Sequence, residues 1–325
     1  MPVIPVSSYR PPMLMGNGHL QTILPSIFRK VRGVSYIRQR LWTPDGDFVD
    51  LDWSVVGARR AALIAHGLEG SSQRSYVLGM VKALNRRGWD AVVWNFRGCS
   101  GEPNRKPRFY HSGDTEDLDL VLRSVIDTCG YDSLVLVGFS LGGNVILKYL
   151  GERSEGVDRA IRAAVAFSVP CDLASGALKM ALPSNELYMK RFLRMLHQKV
   201  RDKKELLPGE IDDTDFHLMR TFKDFDERYT APLHGFESAE DYWRRSSSKP
   251  LLRRISVPSL LVSALNDPFL GPECYPREEA RLSDSLFLET PASGGHVGFV
   301  SFNHDGEYWS ERRAADFFER CGQAG

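Results

Sequence analysis

Short apolar segments alternate with longer segments of helical periodicity from residue 61 onward. The apolar segments, such as V-L-V at 135–137, are continuous rather than alternating. Continuous apolar strands are typical of parallel sheets that helices cover on both faces. The pattern therefore predicts a doubly wound α/β fold with a mostly parallel central sheet. The predicted strands are 61–65, 91–96, 134–138, 163–168, 257–264 and 286–289, and the predicted helices are 73–87, 115–129, 141–152, 273–283 and 305–320.

The first part of the chain has a different pattern. Residues 1–35 are rich in proline and glycine, which predicts an N-terminal arm packed on the surface of the domain. Residues 36–42 and 48–55 alternate between apolar and polar on either side of the turn sequence T-P-D-G-D. This arrangement predicts an antiparallel hairpin at the start of the core. We place the core at 36–170 and 250–325.

The alternation of strands and helices stops between residues 171 and 249. This stretch is rich in charge and helical periodicity and contains no convincing strand, so we interpret it as a helical lid inserted into the core. Its clearest helix, over 187–200, has an apolar stripe that would suit an acyl pocket or pack against the core. The stripe consists of Leu187, Met189, Phe192, Leu193, Met195 and Leu196.

Composition limits the partners that we expect. The chain has 42 basic and 41 acidic residues, so no overall field favours nucleic acid. Its five cysteines lack metal-binding spacing, which predicts reduced thiols in the cytoplasm and implies no metal site. Because no apolar run reaches membrane-spanning length and the N-terminus lacks a signal pattern, we expect no stable membrane insertion. The sequence implies no cofactor and does not determine the oligomeric state.

The most informative motif is G-F-S-L-G at 138–142, which follows a predicted strand and precedes a predicted helix. A serine between two glycines at this spacing is typical of a nucleophile elbow, a strained strand-to-helix turn that exposes the hydroxyl. The start of the helix also favours negative charge at that point. We therefore predict that Ser140 is a nucleophile.

A serine nucleophile needs a base, and the base needs an acid that fixes its tautomer. In chains with this elbow the acid and then the histidine follow the serine. His296 lies in a glycine-rich loop after the last predicted strand, and Asp267 follows the preceding strand. His217 and His234 lie in the predicted lid, and Asp284 precedes a strand instead of following one. We therefore predict Asp267 as the acid and His296 as the base.

Acyl transfer also requires two backbone N–H groups that stabilise the tetrahedral oxyanion. One is expected from Leu141, which follows the nucleophile, and the other from Leu68, in the loop after the strand at 61–65. We expect His66, at the end of that strand, to form hydrogen bonds that fix the loop.

Two further motifs have structural explanations. The loop N-F-R-G-C-S-G at 95–101 resembles a phosphate-binding loop but matches neither glycine-rich nucleotide pattern. His111, Asp114 and Asp117 could ligate a metal by spacing alone. Capping of the helix at 115–129 explains the two acids better.

Taken together, the motifs identify a family. The chain resembles the YheT-like branch of the α/β hydrolases, which includes abhydrolase-domain proteins and medium-chain ethyl ester synthase/esterases. The resemblance rests on six segments: N-G-H-L-Q-T-I at 17–23, H-G-L-E-G-S at 66–71, N-F-R-G-C-S-G at 95–101, Y-H-S-G-D-T-E-D-L at 110–118, G-F-S-L-G-G-N at 138–144 and F-D-E-R-Y-T-A-P-L-H-G-F at 225–236.

The resemblance implies an α/β-hydrolase fold and hydrolysis of a small acyl ester, medium-chain or lipid-like, with Ser140, Asp267 and His296 in the catalytic positions. It also implies acyl transfer to an alcohol in some relatives. The H-x-x-x-x-D pattern of some acyltransferase relatives is absent at His111, because Glu116 occupies the acidic position. A low-turnover binding module remains the alternative from another class.

Overall fold

A computed structural model describes residues 3–322 of the chain. The first two residues of the predicted arm, the last three of the predicted core and the side chain of Cys129 lie outside this part. The strands are Val3–Ile4 (β1), Ile37–Trp42 (β2), Phe48–Ser54 (β3), Arg60–Ala65 (β4), Asp90–Asn95 (β5), Ser133–Phe139 (β6), Ile161–Phe167 (β7), Ser259–Val262 (β8) and Leu286–Glu289 (β9). The α-helices are Gly18–Phe28 (α1), Ser75–Asn85 (α2), Thr115–Cys129 (α3), Leu141–Arg153 (α4), Leu173–Met180 (α5), Glu186–Leu206 (α6), Phe222–Phe225 (α7), Ala231–Leu233 (α8), Ala239–Ser246 (α9), Arg277–Arg281 (α10) and Trp309–Gly322 (α11).

The strands form one sheet in the order β1-β9-β8-β7-β6-β4-β5-β3-β2. β3 pairs antiparallel with both β2 and β5, and the other neighbouring strands pair in parallel. The hairpin aligns Trp42 with Phe48 across the turn. The predicted α/β class with a mostly parallel sheet is confirmed.

Helices cover both faces of the sheet. Successive strand residues point to opposite sides, and because both sets are apolar, each set packs against its own layer of helices. Leu63 belongs to a core cluster that includes residues of α3 and α4. Its neighbour Ile64 belongs to a second cluster that includes residues of α2 and α11. Both side chains are fully buried. The central strands therefore need apolar residues at every position, as their sequence shows.

Two predicted helices differ from the structure in extent. The helix expected over 273–283 is reduced to α10, preceded by a short 3₁₀ turn at Pro272–Cys274. Pro276 lies between the two, where its ring and missing N–H disfavour a continuous helix. The last helix begins at Trp309 instead of residue 305, after Gly306 with a φ of +65°.

The predicted N-terminal arm contains two elements of regular structure, β1 and α1. β1 extends the sheet by pairing in parallel with β9, with Val3 opposite Leu288. Asn17 caps α1, because its side chain accepts hydrogen bonds from the N–H groups of His19 and Leu20. A two-residue strand has no periodicity to detect, and Pro25 within α1 hides the helical pattern.

The segment between β7 and β8 contains the helices α5 to α9 and, like the rest of the described 171–249 stretch, no strand. Its outline as a lid, with boundaries at 171 and 249, remains a prediction. No helix within residues 3–322 has the length and apolar character to cross a membrane.

Candidate active site

Ser140 lies in the turn between β6 and α4. Its backbone has a φ of +51° and a ψ of −117°, a strained conformation for a residue with a side chain. The N–H of Ser140 donates a hydrogen bond of 2.8 Å to the carbonyl oxygen of Phe167. The turn therefore presents the serine side chain at the N-terminal end of α4.

Two glycines allow this turn to form. A Cβ at Gly138 would lie 2.5 Å from the Cα of Gly143, and one at Gly142 would lie 2.5 Å from the carbonyl oxygen of His66. Both contacts involve backbone atoms, which cannot move aside as a flexible side chain can. The glycines of the motif are explained by close packing of the elbow on neighbouring backbone.

The structure brings Ser140, His296 and Asp267 into one chain of hydrogen bonds. Nε2 of His296 lies 2.9 Å from Oγ of Ser140, and Nδ1 lies 2.9 Å and 3.1 Å from the two carboxylate oxygens of Asp267. The carboxylate accepts the Nδ1 proton, so Nε2 is left to accept the serine proton. This is the geometry that activation of a serine hydroxyl requires.

The acid and the histidine come from loops that follow adjacent strands. Asp267 follows β8 and His296 follows β9, and these strands are parallel neighbours, so both loops leave the same edge of the sheet as Ser140. Asp267 is 4% exposed and accepts a hydrogen bond from the N–H of Phe269. Val297, with a φ of +60°, donates its N–H to Oγ of Ser168.

Helix α1 also positions the His296 loop, which the sequence analysis missed. The N–H of His296 donates a 2.9 Å hydrogen bond to Oγ1 of Thr22. A Cβ at Gly295 would lie 2.5 Å from the carbonyl oxygen of Gly18, so α1 and the loop pack backbone against backbone. A capping asparagine before an apolar segment was the available signal for α1. The sequence carries no signal that α1 packs against the His296 loop.

We expect Thr22→Val to lower kcat/KM for ester hydrolysis by about tenfold, because a displaced imidazole loses alignment with Ser140. The substitution also leaves the His296 N–H without its acceptor, which costs about 1 to 3 kcal/mol of stability. Steady-state kinetics and urea unfolding measure the two effects. Thr22→Ser keeps the hydroxyl and is the matched control. Equal kinetics in wild type and Thr22→Val would contradict this role.

Leu68 and Leu141 line the same cavity as Ser140. The amides on either side of Leu68 are occupied, since Gly67 donates to the hydroxyl of Tyr76 and Glu69 donates to the hydroxyl of Tyr110. Within residues 3–322 the N–H groups of Leu68 and Leu141 have no acceptor. Their use as an oxyanion hole remains a prediction, and this hydrogen-bond pattern favours it.

His66 fixes the loop that carries Leu68, as expected. Its Nε2 accepts a 3.3 Å hydrogen bond from the N–H of Phe96, so Nδ1 carries the proton and donates to the carbonyl oxygen of Gly67 at 2.8 Å. The imidazole is fully buried, and desolvation lowers its pKa to about 3. The ring is therefore neutral in the folded protein, which rules it out as a cationic group in the site.

A buried neutral histidine makes stability depend on pH. The pKa of His66 is lower in the folded protein than in the unfolded chain, so the unfolded chain binds more protons as the pH falls. The free energy of unfolding therefore decreases toward low pH. Between about pH 7 and about pH 5 we expect wild type to lose about 2 kcal/mol more stability than His66→Gln. Urea unfolding at both pH values measures the difference. Equal losses in the two proteins would show that His66 does not titrate in this way.

The acids at the start of α3 form ion pairs, which corrects their interpretation as helix caps. Asp114 occupies the N-cap position but makes no side-chain capping hydrogen bond. It instead accepts a 3.1 Å hydrogen bond from Arg108. Asp117 accepts two 2.7 Å hydrogen bonds from the guanidinium of Arg97, which is 2% exposed. The Arg97–Asp117 pair holds the 95–101 loop against the start of α3.

The cavity above Ser140 is mainly apolar. Its wall includes Phe109, Leu173, Met180, Phe192, Leu196 and Phe269. Among the predicted stripe residues, Phe192 and Leu196 line this cavity, whereas Met189 and Leu193 are buried in the adjoining cluster and Met195 is half-buried. Leu187 is 81% exposed, so this member of the stripe belongs neither to the cavity wall nor to the packing against the core.

Lys199 and Glu69 both line the cavity and neutralise one another. Nζ of Lys199 lies 2.9 Å from a carboxylate oxygen of Glu69 and 3.1 Å from the Sγ of Cys99. Burial raises the pKa of the Cys99 thiol to about 11, so this cysteine is not an activated thiol. No group of three metal-ligating side chains occurs within the described part of the chain.

Comparisons with known proteins agree with this architecture. Residues 62–302 match the family model described as the alpha/beta hydrolase fold. The chain is 39% identical to the protein named "Putative esterase YheT" of Escherichia coli (strain K12), over 93% of this chain and 90% of that protein. It is 28% identical to human phospholipase ABHD3, over 92% of this chain and 75% of that protein. The Pyrococcus furiosus esterase PF2001 structure superimposes with a TM-score of 0.59 at 17% identity, covering 96% and 97% of the two chains.

Proposed function

The chain belongs to the α/β-hydrolase family, as a relative of YheT, and we propose on that basis that it is a serine hydrolase that cleaves carboxylic esters. One observation carries the proposal: His296 lies 2.9 Å from the Oγ of Ser140 and 2.9 Å from the carboxylate of Asp267, beside an apolar cavity. The family membership supports a hydrolase, and this geometry supports the reaction that we assign to it.

In the proposed mechanism Oγ of Ser140 attacks the acyl carbon while Nε2 of His296 takes the serine proton. The N–H groups of Leu68 and Leu141 stabilise the oxyanion that forms. His296 then returns the proton to the leaving alcohol, which leaves the acyl group on Ser140. A water molecule, activated by His296, attacks this acyl-enzyme and releases the acid. Asp267 orients His296 and stabilises its protonated form throughout.

We propose that the substrate is a small acyl ester, medium-chain or lipid-like. The apolar wall of the cavity supports an acyl group rather than a charged one. Human ABHD3, named a phospholipase, is a relative over most of the chain. We also propose that the 171–249 segment acts as a lid, since Phe192, Leu196 and Phe222 from this segment line the cavity.

We propose a cytoplasmic location on the basis of the cysteines. Among the residues that the structure describes, Cys99, Cys171, Cys274 and Cys321 are free thiols. Free thiols are common in reducing compartments.

A chain-length profile tests the proposed activity. We expect p-nitrophenyl esters with medium acyl chains to be hydrolysed with higher kcat/KM than the acetate ester, because a longer chain buries more apolar surface in the cavity. Added ethanol distinguishes hydrolysis from acyl transfer by the ratio of acid to ethyl ester. An absence of turnover with every chain length, together with no labelling of Ser140 by a fluorophosphonate probe, would contradict the proposal.

A further inference from the structure

Two of the family segments that the mechanism does not use meet in the wall of the cavity. His111 belongs to the 110–118 segment and His234 to the 225–236 segment. Their ring centroids are 4.5 Å apart at an interplanar angle of 64°, and both rings line the cavity that contains Ser140. The two segments are more than 100 residues apart in the sequence and lie side by side in the fold.

The His111 loop is fixed close to the nucleophile. Asn144 lies one helical turn after Ser140 in α4, and its Nδ2 donates a 2.8 Å hydrogen bond to the carbonyl oxygen of Ser112. The N–H of Ser112 in turn donates to the hydroxyl of Tyr242. His111 is therefore held next to the first turns of α4, in the wall of the cavity that Ser140 also lines.

The hydrogen bonds of the two imidazoles leave nitrogen atoms unused. The N–H of Gly113 donates to Nδ1 of His111 at 3.1 Å, so the proton of the neutral ring lies on Nε2. Within residues 3–322 nothing accepts this proton. Nε2 of His234 is buried and also has no partner. Burial lowers the pKa of His111 to about 3 and that of His234 to about 2, so both rings are neutral.

The charged side chains nearby are already hydrogen-bonded or paired. Both carboxylate oxygens of Asp226, which also lines the cavity, accept hydrogen bonds, one from Thr230 and one from the indole of Trp243. Lys199 is paired with Glu69. Among the described residues, the two imidazoles thus add neutral hydrogen-bonding nitrogens to this part of the wall and no net charge to bind an anion.

We propose that His111 and His234 form a hydroxyl-binding subsite for the substrate, distinct from the groups that act on the scissile carbonyl. In the tautomer of His234 that carries its proton on Nδ1, a hydroxyl group bound between the rings accepts the Nε2 proton of His111 and donates its own proton to Nε2 of His234. A hydroxyl is the simple uncharged group that satisfies both nitrogens at once. The inference rests on the proposed ester hydrolysis and narrows its substrate class to esters that carry a free hydroxyl, such as monoesters of a polyol.

The test compares two esters with the same acyl group, monobutyrylglycerol and propyl butyrate. The ratio of their kcat/KM values is measured for wild type, His111→Phe, His234→Phe and His111→Gln. A site that hydrogen-bonds a substrate hydroxyl discriminates against the analogue that lacks it. We expect each Phe variant to lower the preference for monobutyrylglycerol by about tenfold and His111→Gln to retain part of it, because glutamine keeps an N–H donor.

The control is His217→Gln, which replaces an exposed histidine in the 171–249 segment and should leave the ratio unchanged. Ratios that are equal in wild type and in folded His111→Phe would overturn the proposal. If wild type hydrolyses neither butyrate ester, the chain-length profile and the fluorophosphonate probe decide the proposed function, and calorimetry with Ser140→Ala decides the subsite separately. Tighter binding of monobutyrylglycerol than of propyl butyrate supports the subsite, and equal binding overturns it.

Discussion

Replacing Ser140 by alanine is expected to lower kcat for p-nitrophenyl ester hydrolysis by about 10⁴-fold or more, because the covalent route through the acyl-enzyme is lost. The cavity and the free N–H groups of Leu68 and Leu141 stay in place in the variant. We therefore expect KM to change far less than kcat. Steady-state kinetics over a range of ester concentrations separates the two constants.

The chain offers a matched control in Ser154→Ala. Ser154 follows the last residue of α4 and has nearly the same backbone angles as Ser140, with a φ of +49° and a ψ of −122°. Any effect of placing alanine in this strained conformation appears in both variants, whereas loss of the nucleophile appears only in Ser140→Ala. Comparable turnover by Ser140→Ala and wild type would refute the assignment of the nucleophile.

The second large effect is expected from Asp267→Asn, which should lower kcat by roughly 10³- to 10⁴-fold. An asparagine of the same shape offers an amide group to Nδ1 of His296. The imidazole can then place its proton on Nε2, where it cannot accept the proton of Ser140. Because Asp267 is 4% exposed, water cannot replace the lost carboxylate. Pre-steady-state kinetics should show a slower release of p-nitrophenol in the first turnover.

Asp284→Asn is the control for this variant. Asp284 is the nearest rival acid in the sequence and is exposed in the structure. We expect wild-type kinetics from it, and circular dichroism should show both variants to be folded. A large loss of activity in Asp284→Asn with little loss in Asp267→Asn would contradict the assignment of the acid.

The sequence predicts the central sheet and the candidate triad because both depend on local patterns. Strands buried on both faces must be apolar at nearly every position, so β4 and β6 are visible as continuous runs. The elbow is visible because two glycines must flank Ser140 for the turn to form. Asp267 and His296 can then be predicted from the sequence alone, because each follows a predicted strand in the chain order serine, acid, histidine.

Features that depend on contacts between distant segments were not predictable in this way. Thr22 accepts a hydrogen bond from His296, which is 274 residues away, and nothing in either segment specifies the partner. The alternating residues of β2 and β3 predict the hairpin, and they do not indicate which polar side chains are buried. Asp50 and Asp52 are about 1% exposed, and each pairs with an arginine of β2. These carboxylates also accept hydrogen bonds from more distant residues, since Ser100 donates to Asp50 and Ser72 donates to Asp52.

The central claim is that Ser140 carries the acyl group between the two steps of the reaction. Mixing the protein with a p-nitrophenyl ester of medium chain length, quenching in acid and measuring the intact mass tests this claim most directly. We expect a mass increase of one acyl group, mapped by peptide analysis to Ser140, in wild type and none in Ser140→Ala. An acyl group found on another residue, or turnover that persists in Ser140→Ala, would contradict it.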